Sequence, residues 1–225
     1  MSSEKTASTI RKAKGISLRF LIVATLFFLS LFLFAAIANE MVLENENHLD
    51  RVAFHDLASI ITPSTTNLML FITFFGSIYF LIPAYLLLIG YFLLSKKTQR
   101  LSLDVAAVGI SSTLILFFLK DIFHRHRPYD PLVANVNGWS FPSGHSFCSF
   151  TFFGLLIYIL WNQPMNRALK WPLTILFFLF ACAIALSRVY LHVHYASDVV
   201  AGFLLCIVWL SISFWVMKKF KRKLP

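Results

Sequence analysis

Phe141-Pro142-Ser143-Gly144-His145-Ser146 opens an apolar run that continues to Trp161. Pro142 fixes its own φ, Gly144 allows close backbone approach, and Ser143 is a good N-cap. The stretch therefore predicts a turn that feeds directly into a hydrophobic helix. The first amides of such a helix lack intrahelical acceptors, and the helix dipole favours an anion beside them. His145 adds a titratable ring at that point. An ordinary capped helix start would look the same, so the reading depends on the rest of the chain.

The surroundings of this helix are those of a membrane protein. The chain has 225 residues, 58% hydrophobic and 13% charged, with a mean hydropathy of +0.74. A soluble domain of this length is far less apolar. A spanning helix needs about 20 residues. Runs of that kind fall at about 18–38, 68–94, 103–119, 146–161, 171–186 and 199–217, with Pro83 a candidate kink in the second. The expected fold is all-α: one membrane-embedded domain over 1–225 with six transmembrane helices. Ala36-Ile37-Ala38 resembles a signal-peptidase site, but the run before it is longer than a usual leader. An uncleaved first helix is expected.

Segment 39–67 is acidic, with Glu40, Glu44, Glu46, Asp50 and Asp56. Leu49, Val52, Ala53, Leu57, Ile60 and Ile61 recur there at helical spacing. Either an amphipathic helix on the membrane surface or one packed on the neighbouring loops fits this pattern. Cys148, Cys182 and Cys206 all lie in apolar runs without metal-ligand spacing, which points to packing.

The net charge of +10 is not a nucleic-acid footprint, because the basic residues gather in short runs beside the apolar spans. The basic tail 1–17 with Arg19 just after it, the segment around Lys96, Lys97 and Arg100, the turn with Arg167 and Lys170, and the end from Lys218 to Lys223 share one side. Fifteen Lys and Arg fall on that side, and Arg51, Lys120, Arg125, Arg127 and Arg188 on the other. By the positive-inside rule both termini are expected in the cytoplasm.

Four of the five outer cations fall in or beside two clusters. In Lys120-Asp121-Ile122-Phe123-His124-Arg125-His126-Arg127-Pro128, Lys120 and Arg127 are seven apart, nearly two helical turns, which predicts a shared face. Pro128 would end that helix at Arg127. Two cations on one face repel unless an anion lies between them. In Ser187-Arg188-Val189-Tyr190-Leu191-His192-Val193-His194-Tyr195-Ala196-Ser197-Asp198, His194 and Asp198 stand at i and i+4. On a helix the carboxylate would hold one imidazole nitrogen and leave the other as a nucleophile. His192 faces elsewhere. Both clusters and the 141–146 turn meet on the extracytoplasmic side. Together they offer three cations, a helix N-terminus and two histidines, which is a site for a phosphate. No acidic cluster suits a divalent metal, so no cofactor is expected.

The three segments resemble the signature of the type-2 phosphatidic acid phosphatase superfamily: K-x6-R-P, P-S-G-H and S-R-x5-H-x3-D. These stand here as Lys120…Arg127-Pro128, Pro142-Ser143-Gly144-His145 and Ser187-Arg188…His194…Asp198. The catalytic-motif half is 103–217. The resemblance implies His194 as nucleophile, Asp198 as its orienting group and His145 as general acid. Lys120, Arg127, Arg188 and the Ser143–Gly144 backbone would hold the phosphate. The implied function is metal-independent hydrolysis of a lipid mono- or diphosphate, with undecaprenyl diphosphate first and phosphatidylglycerophosphate or lipid A as alternatives. The expected partners are the bilayer and the lipid phosphate. A phosphotransferase of the same family, or a non-enzymatic transporter of an anionic lipid, remains open. A transporter has no use for the His194–Asp198 pair.

Overall fold

The computed structural model describes residues 2–43, 47–95, 99–134 and 136–221. Glu44, Glu46, Lys96, Lys97, Arg222 and Lys223 lie outside the described residues. The described residues form eight helices: α1 (Ser2–Leu43), α2 (His48–Ala58), α3 (Pro63–Phe74), α4 (Ile78–Leu94), α5 (Gln99–Phe123), α6 (Gly144–Asn162), α7 (Arg167–Tyr190) and α8 (Ala196–Lys221). Six stretches are long and apolar enough to cross a membrane, with α3 and α4 together forming the second. The chain is a multi-pass membrane protein.

The core is built of aromatic and aliphatic side chains from α4, α6, α7 and α8. Phe147, Phe150, Phe153, Ala181, Ile184 and Cys206 are buried together. A second cluster nearer the other end joins Phe92, Val105, Val108, Leu155, Ile159 and Met217. α1 packs on α8 and exposes Phe20, Phe28 and Phe32 outward, as a helix bathed in lipid does.

Three local expectations are corrected. The second span breaks at Phe75-Gly76-Ser77, between α3 and α4, while α4 runs on through Pro83. The chain is tightly packed at that break: a Cβ on Gly76 would lie 2.5 Å from Ile184 Cγ2 and 2.8 Å from Ser149 Oγ. α5 stops at Phe123, where His124 adopts the left-handed conformation (φ 47°). Arg127 therefore sits in the following loop rather than two turns along a helix. Lastly, α7 ends at Tyr190 and α8 begins at Ala196. His194 precedes that helix and Asp198 lies in its first turn.

α2 is closed at its start by a capping box. Asp50 N donates to Asn47 Oδ1 at 3.0 Å, and Asn47 N donates to Asp50 Oδ2 at 3.5 Å. The helix packs against α7 and α8, and Asp50 is fully buried beneath it. Of the two placements the sequence allows, the structure has the helix packed on the protein.

Candidate active site

The start of α6 forms the floor of the site. Ser143 Oγ caps the helix by accepting from Ser146 N at 3.4 Å. The Ser143 amide donates to the Asp198 carbonyl at 3.0 Å. The Ser143 amide thus ties α6 to α8. The Gly144 and His145 amides are the ones left without a helical acceptor, as the first positions of a helix must be. A Cβ on Gly144 would come within 4.0 Å of Lys120 Cε, so the lysine stem passes beside this turn.

His194 is aimed by three groups. Its Nδ1 lies 3.3 Å from Asp198 Oδ2 and 3.2 Å from Ser140 Oγ. Ser140 Oγ also donates to Asp198 Oδ2. Asp198 Oδ2 further accepts from Tyr195 N at 3.0 Å, so the carboxylate caps α8 while it holds the imidazole. Nε2 faces the other way, 3.2 Å from Arg127 Nη1. Burial, reinforced by the fields of Arg127, Arg188 and Lys120, pushes His194 well below the ordinary imidazole range. The partners fit a neutral ring with its proton on Nδ1, toward the carboxylate, and its lone pair on Nε2, toward the guanidinium.

The three predicted cations converge on this ring. Arg127 donates to the backbone carbonyls of Gly138 (2.9 Å), Val193 (2.6 Å) and Asn137 (3.2 Å). The bonds to Gly138 and Asn137 close the loop after α5 on itself, and the bond to Val193 ties it to the connection between α7 and α8. Lys120 Nζ donates to the carbonyls of Trp139 and Ser140. Arg188 Nη1 donates to Thr73 Oγ1 at 2.7 Å, and its buried Nε has no partner among the described residues. His145 shares these neighbours, with Arg188, His194, Arg127 and Lys120 all acting on it.

His192 is turned away. It takes a left-handed backbone (φ 53°) and packs against Phe54, with ring centroids 4.8 Å apart and the rings tilted by 56°. Four residues with no place in the motif reading are also built in: Ser140, Thr73, Arg125 and Asp50. Arg125 had a signal, as an outer cation without an assigned task. Ser140, Thr73 and Asp50 had none, since each acts through contacts far away in the sequence. Among the described residues no group of three or more His, Cys, Asp or Glu is placed to hold a metal ion.

An apolar cavity of about 490 Å³ opens between α4 and α5 and reaches Gly144, His145 and Cys148. Tyr85, Leu86, Ile110 and Leu114 are among its walls. A cluster of cations thus meets a greasy slot, the combination that an amphiphilic phosphate requires.

Comparison with known proteins agrees with this geometry. Residues 101–222 match the PAP2 superfamily. The chain is 30% identical over 202 residues to phosphatidylglycerophosphatase B of Bacillus subtilis, covering 89% of this chain and 95% of that one. It superposes on the crystal structure of a transmembrane PAP2-type phosphatidylglycerolphosphate phosphatase from Bacillus subtilis. The TM-score there is 0.75 and the identity 29%, over 90% of this chain and 98% of the other. Aquifex aeolicus LpxE shares the fold, with a TM-score of 0.56 and 24% identity over 72% of this chain and 92% of its own. With the three motif segments converging on one buried histidine, the chain belongs to the PAP2 superfamily, in its membrane-embedded lipid phosphatase branch.

Proposed function

We propose that the chain hydrolyses a lipid phosphate at the extracytoplasmic face through a phosphohistidine on Nε2 of His194. The observation that carries this is the pairing of His194: Nδ1 on Asp198 and Ser140, Nε2 turned to Arg127. A neutral imidazole held in that way presents its lone pair where the guanidinium would hold a phosphoryl oxygen.

The Nε2 lone pair attacks phosphorus, and the bond from phosphorus to the lipid oxygen breaks. His145, its charged form favoured by the bound phosphate anion, gives its proton to the leaving oxygen, so the lipid alcohol departs neutral. The phosphorylated ring is cationic, and Asp198 stabilises it through Nδ1–H. Arg127, Lys120, Arg188 and the Gly144 and His145 amides neutralise the equatorial oxygens without a metal. Water then attacks the phosphorus. His145 takes its proton, the N–P bond breaks, and phosphate leaves with the ring neutral again.

Phosphatidylglycerophosphate is the first candidate substrate, because the relatives matching nearly the whole chain are named for it. Undecaprenyl diphosphate, first on the sequence reading, is the main competitor. Purified protein in detergent should release inorganic phosphate from phosphatidylglycerophosphate in excess EDTA, and vanadate should inhibit. Faster release from undecaprenyl diphosphate would change the substrate. No phosphate release, or release that requires Mg²⁺, would overturn the mechanism.

A further inference from the structure

A second buried ionic chain lies behind the His194–Asp198 pair. Arg125 Nη1 donates to Asp198 Oδ1 at 2.6 Å and to Ser197 Oγ at 2.8 Å. Its Nη2 donates to Asp50 Oδ2 at 2.9 Å. Asp50 in turn accepts from Ser197 N at 2.8 Å and from Ser197 Oγ at 2.9 Å. The guanidinium carbon sits 3.9 Å from the centroid of the Tyr195 ring. The Arg125 side chain is 2% exposed and both carboxylates are 0% exposed.

We propose that Arg125, held by Asp50 of α2, is a positioning residue that holds Asp198 by Oδ1 and so aims its Oδ2 at Nδ1 of His194. The proposal rests on His194 being the nucleophile. The geometry assigns the two carboxylate oxygens separate tasks. Oδ1 is taken by Arg125, which leaves Oδ2 to Nδ1, Ser140 and the Tyr195 amide.

The charges make the arginine necessary. Asp50 and Asp198 approach the same guanidinium inside a site closed to water. Without the cation, the two buried carboxylates repel one another, and Asp198 is driven off Nδ1. The other polar and charged groups facing Asp198 are His194 and the Tyr195 amide from the connection between α7 and α8, Arg127 from the loop after α5, and Lys120 on α5. Arg127 and Lys120 are turned to carbonyls and to the phosphate position. A displaced Asp198 leaves Nδ1 without its acceptor, so neither the ring proton nor the lone pair needed for attack is held in place.

Asp50 ties this arrangement to α2, outside the stretch 101–222 that matches the family. Its carboxylate reaches both the arginine and the start of α8. A helix that looks like an accessory in the sequence thereby supports the catalytic carboxylate from behind.

A merely structural ion pair would hold the fold and leave the chemistry of folded protein unchanged. The test therefore reads kcat and KM on protein that elutes as a single species and melts cooperatively. The variants are Arg125→Met, Arg125→Lys, Asp50→Asn, the Arg125→Met/Asp50→Asn double, and Asp198→Asn as reference. Arg125→Met should lose about tenfold or more in kcat, less than the roughly 10²–10⁴-fold of a group acting directly, because it acts through Asp198. Its KM should stay within about twofold, since Arg125 does not touch the phosphate position. Adding Asp50→Asn removes the competing carboxylate and should return part of kcat. Arg125→Lys keeps a charge and serves if Arg125→Met does not fold. It cannot reach both carboxylates and should show the same loss in kcat at unchanged KM. If Asp198→Asn is fully active, the nucleophile assignment itself fails. If Asp198→Asn is impaired while folded Arg125→Lys or Arg125→Met keeps wild-type kcat, or Asp50→Asn deepens the defect of Arg125→Met, Arg125 is only a structural tie and the proposal is overturned.

Discussion

His192 and His194 stand two residues apart, and only the backbone between them separates a packing residue from the proposed nucleophile. The left-handed turn at His192 sends its ring to Phe54, while His194 turns inward to Asp198 and Ser140. His194→Ala should therefore be inactive and form no phosphoenzyme, whereas His192→Ala should keep substantial turnover. Asp198→Asn should fall by about 10²–10⁴-fold, the usual worth of an orienting or acid–base group. The readout is an acid-labile, base-stable phosphoryl label on the protein. A label that persists in His194→Ala and vanishes in His192→Ala would reverse the assignment. The pH dependence follows from burial and the surrounding cations, which depress His194. Protonation silences the nucleophile, so activity belongs to the neutral form and is lost only as pH falls through the depressed value. The acid limb of kcat/KM should thus lie below about 6.5, the ordinary imidazole value. A limb above that would mean that the resting ring is charged.

At the scale of elements, the site is a junction between the starts of α6 and α8. Ser143 N bonds the Asp198 carbonyl at 3.0 Å, and Ser146 Oγ donates to the Val199 carbonyl at 2.8 Å. Gly202 lets the two helices come this close. A Cβ there would lie 3.0 Å from Ser143 O and from Ser146 Oγ, and 3.1 Å from Phe147 N. Two of those atoms are backbone and cannot swing aside. Gly202→Ala should force α8 away from α6 at a cost of about 1–3 kcal/mol and carry Asp198 with it. A lower melting temperature together with reduced kcat is expected, and an unchanged pair of values would show that the junction can slide. This junction also explains what the sequence could and could not reveal. The cap at Ser143 was legible because capping is local chemistry. The pairing of His194 with Asp198 was also legible, although the helix invoked for it was not there: Asp198 begins a helix and His194 precedes it. Lys120 and Arg127 likewise converge, but by a loop folding back after His124 rather than by shared helical phase. Motif spacing records which side chains meet and is blind to the backbone path. Asp50 meets Arg125 across 75 positions, and an acidic loop carries no periodicity that could announce it.

At the scale of the molecule, the six crossings gather every site element at one end of the bundle. The joins Arg125–Asp50, Ser140–Asp198 and Leu132–Leu191 all tie connections on that side together. The opposite end carries the turn between α6 and α7, where Lys170 Nζ donates to the Gln163 carbonyl at 2.7 Å. Which end faces the cytoplasm is a question of charge. The fifteen-to-five division of Lys and Arg favours the opposite end. Four of the five cations at the site end, Lys120, Arg125, Arg127 and Arg188, lie in the site or its support. Removing them from the tally leaves the asymmetry steeper still, so the expected orientation does not depend on how they are counted. The substrate leaflet would follow from that orientation, because a lipid headgroup reaches the site only from the side where the cations lie. Tyr129, 93% exposed in the connection between α5 and α6, and Met165, 41% exposed in the turn between α6 and α7, report the two sides. Tyr129→Cys should react with a membrane-impermeant maleimide in intact cells or spheroplasts, above the background of the three native cysteines. Met165→Cys should react only after lysis. The reverse pattern would invert the protein and move the reaction to the cytoplasmic leaflet, while the geometry of His194, Asp198 and the cations stayed as it is.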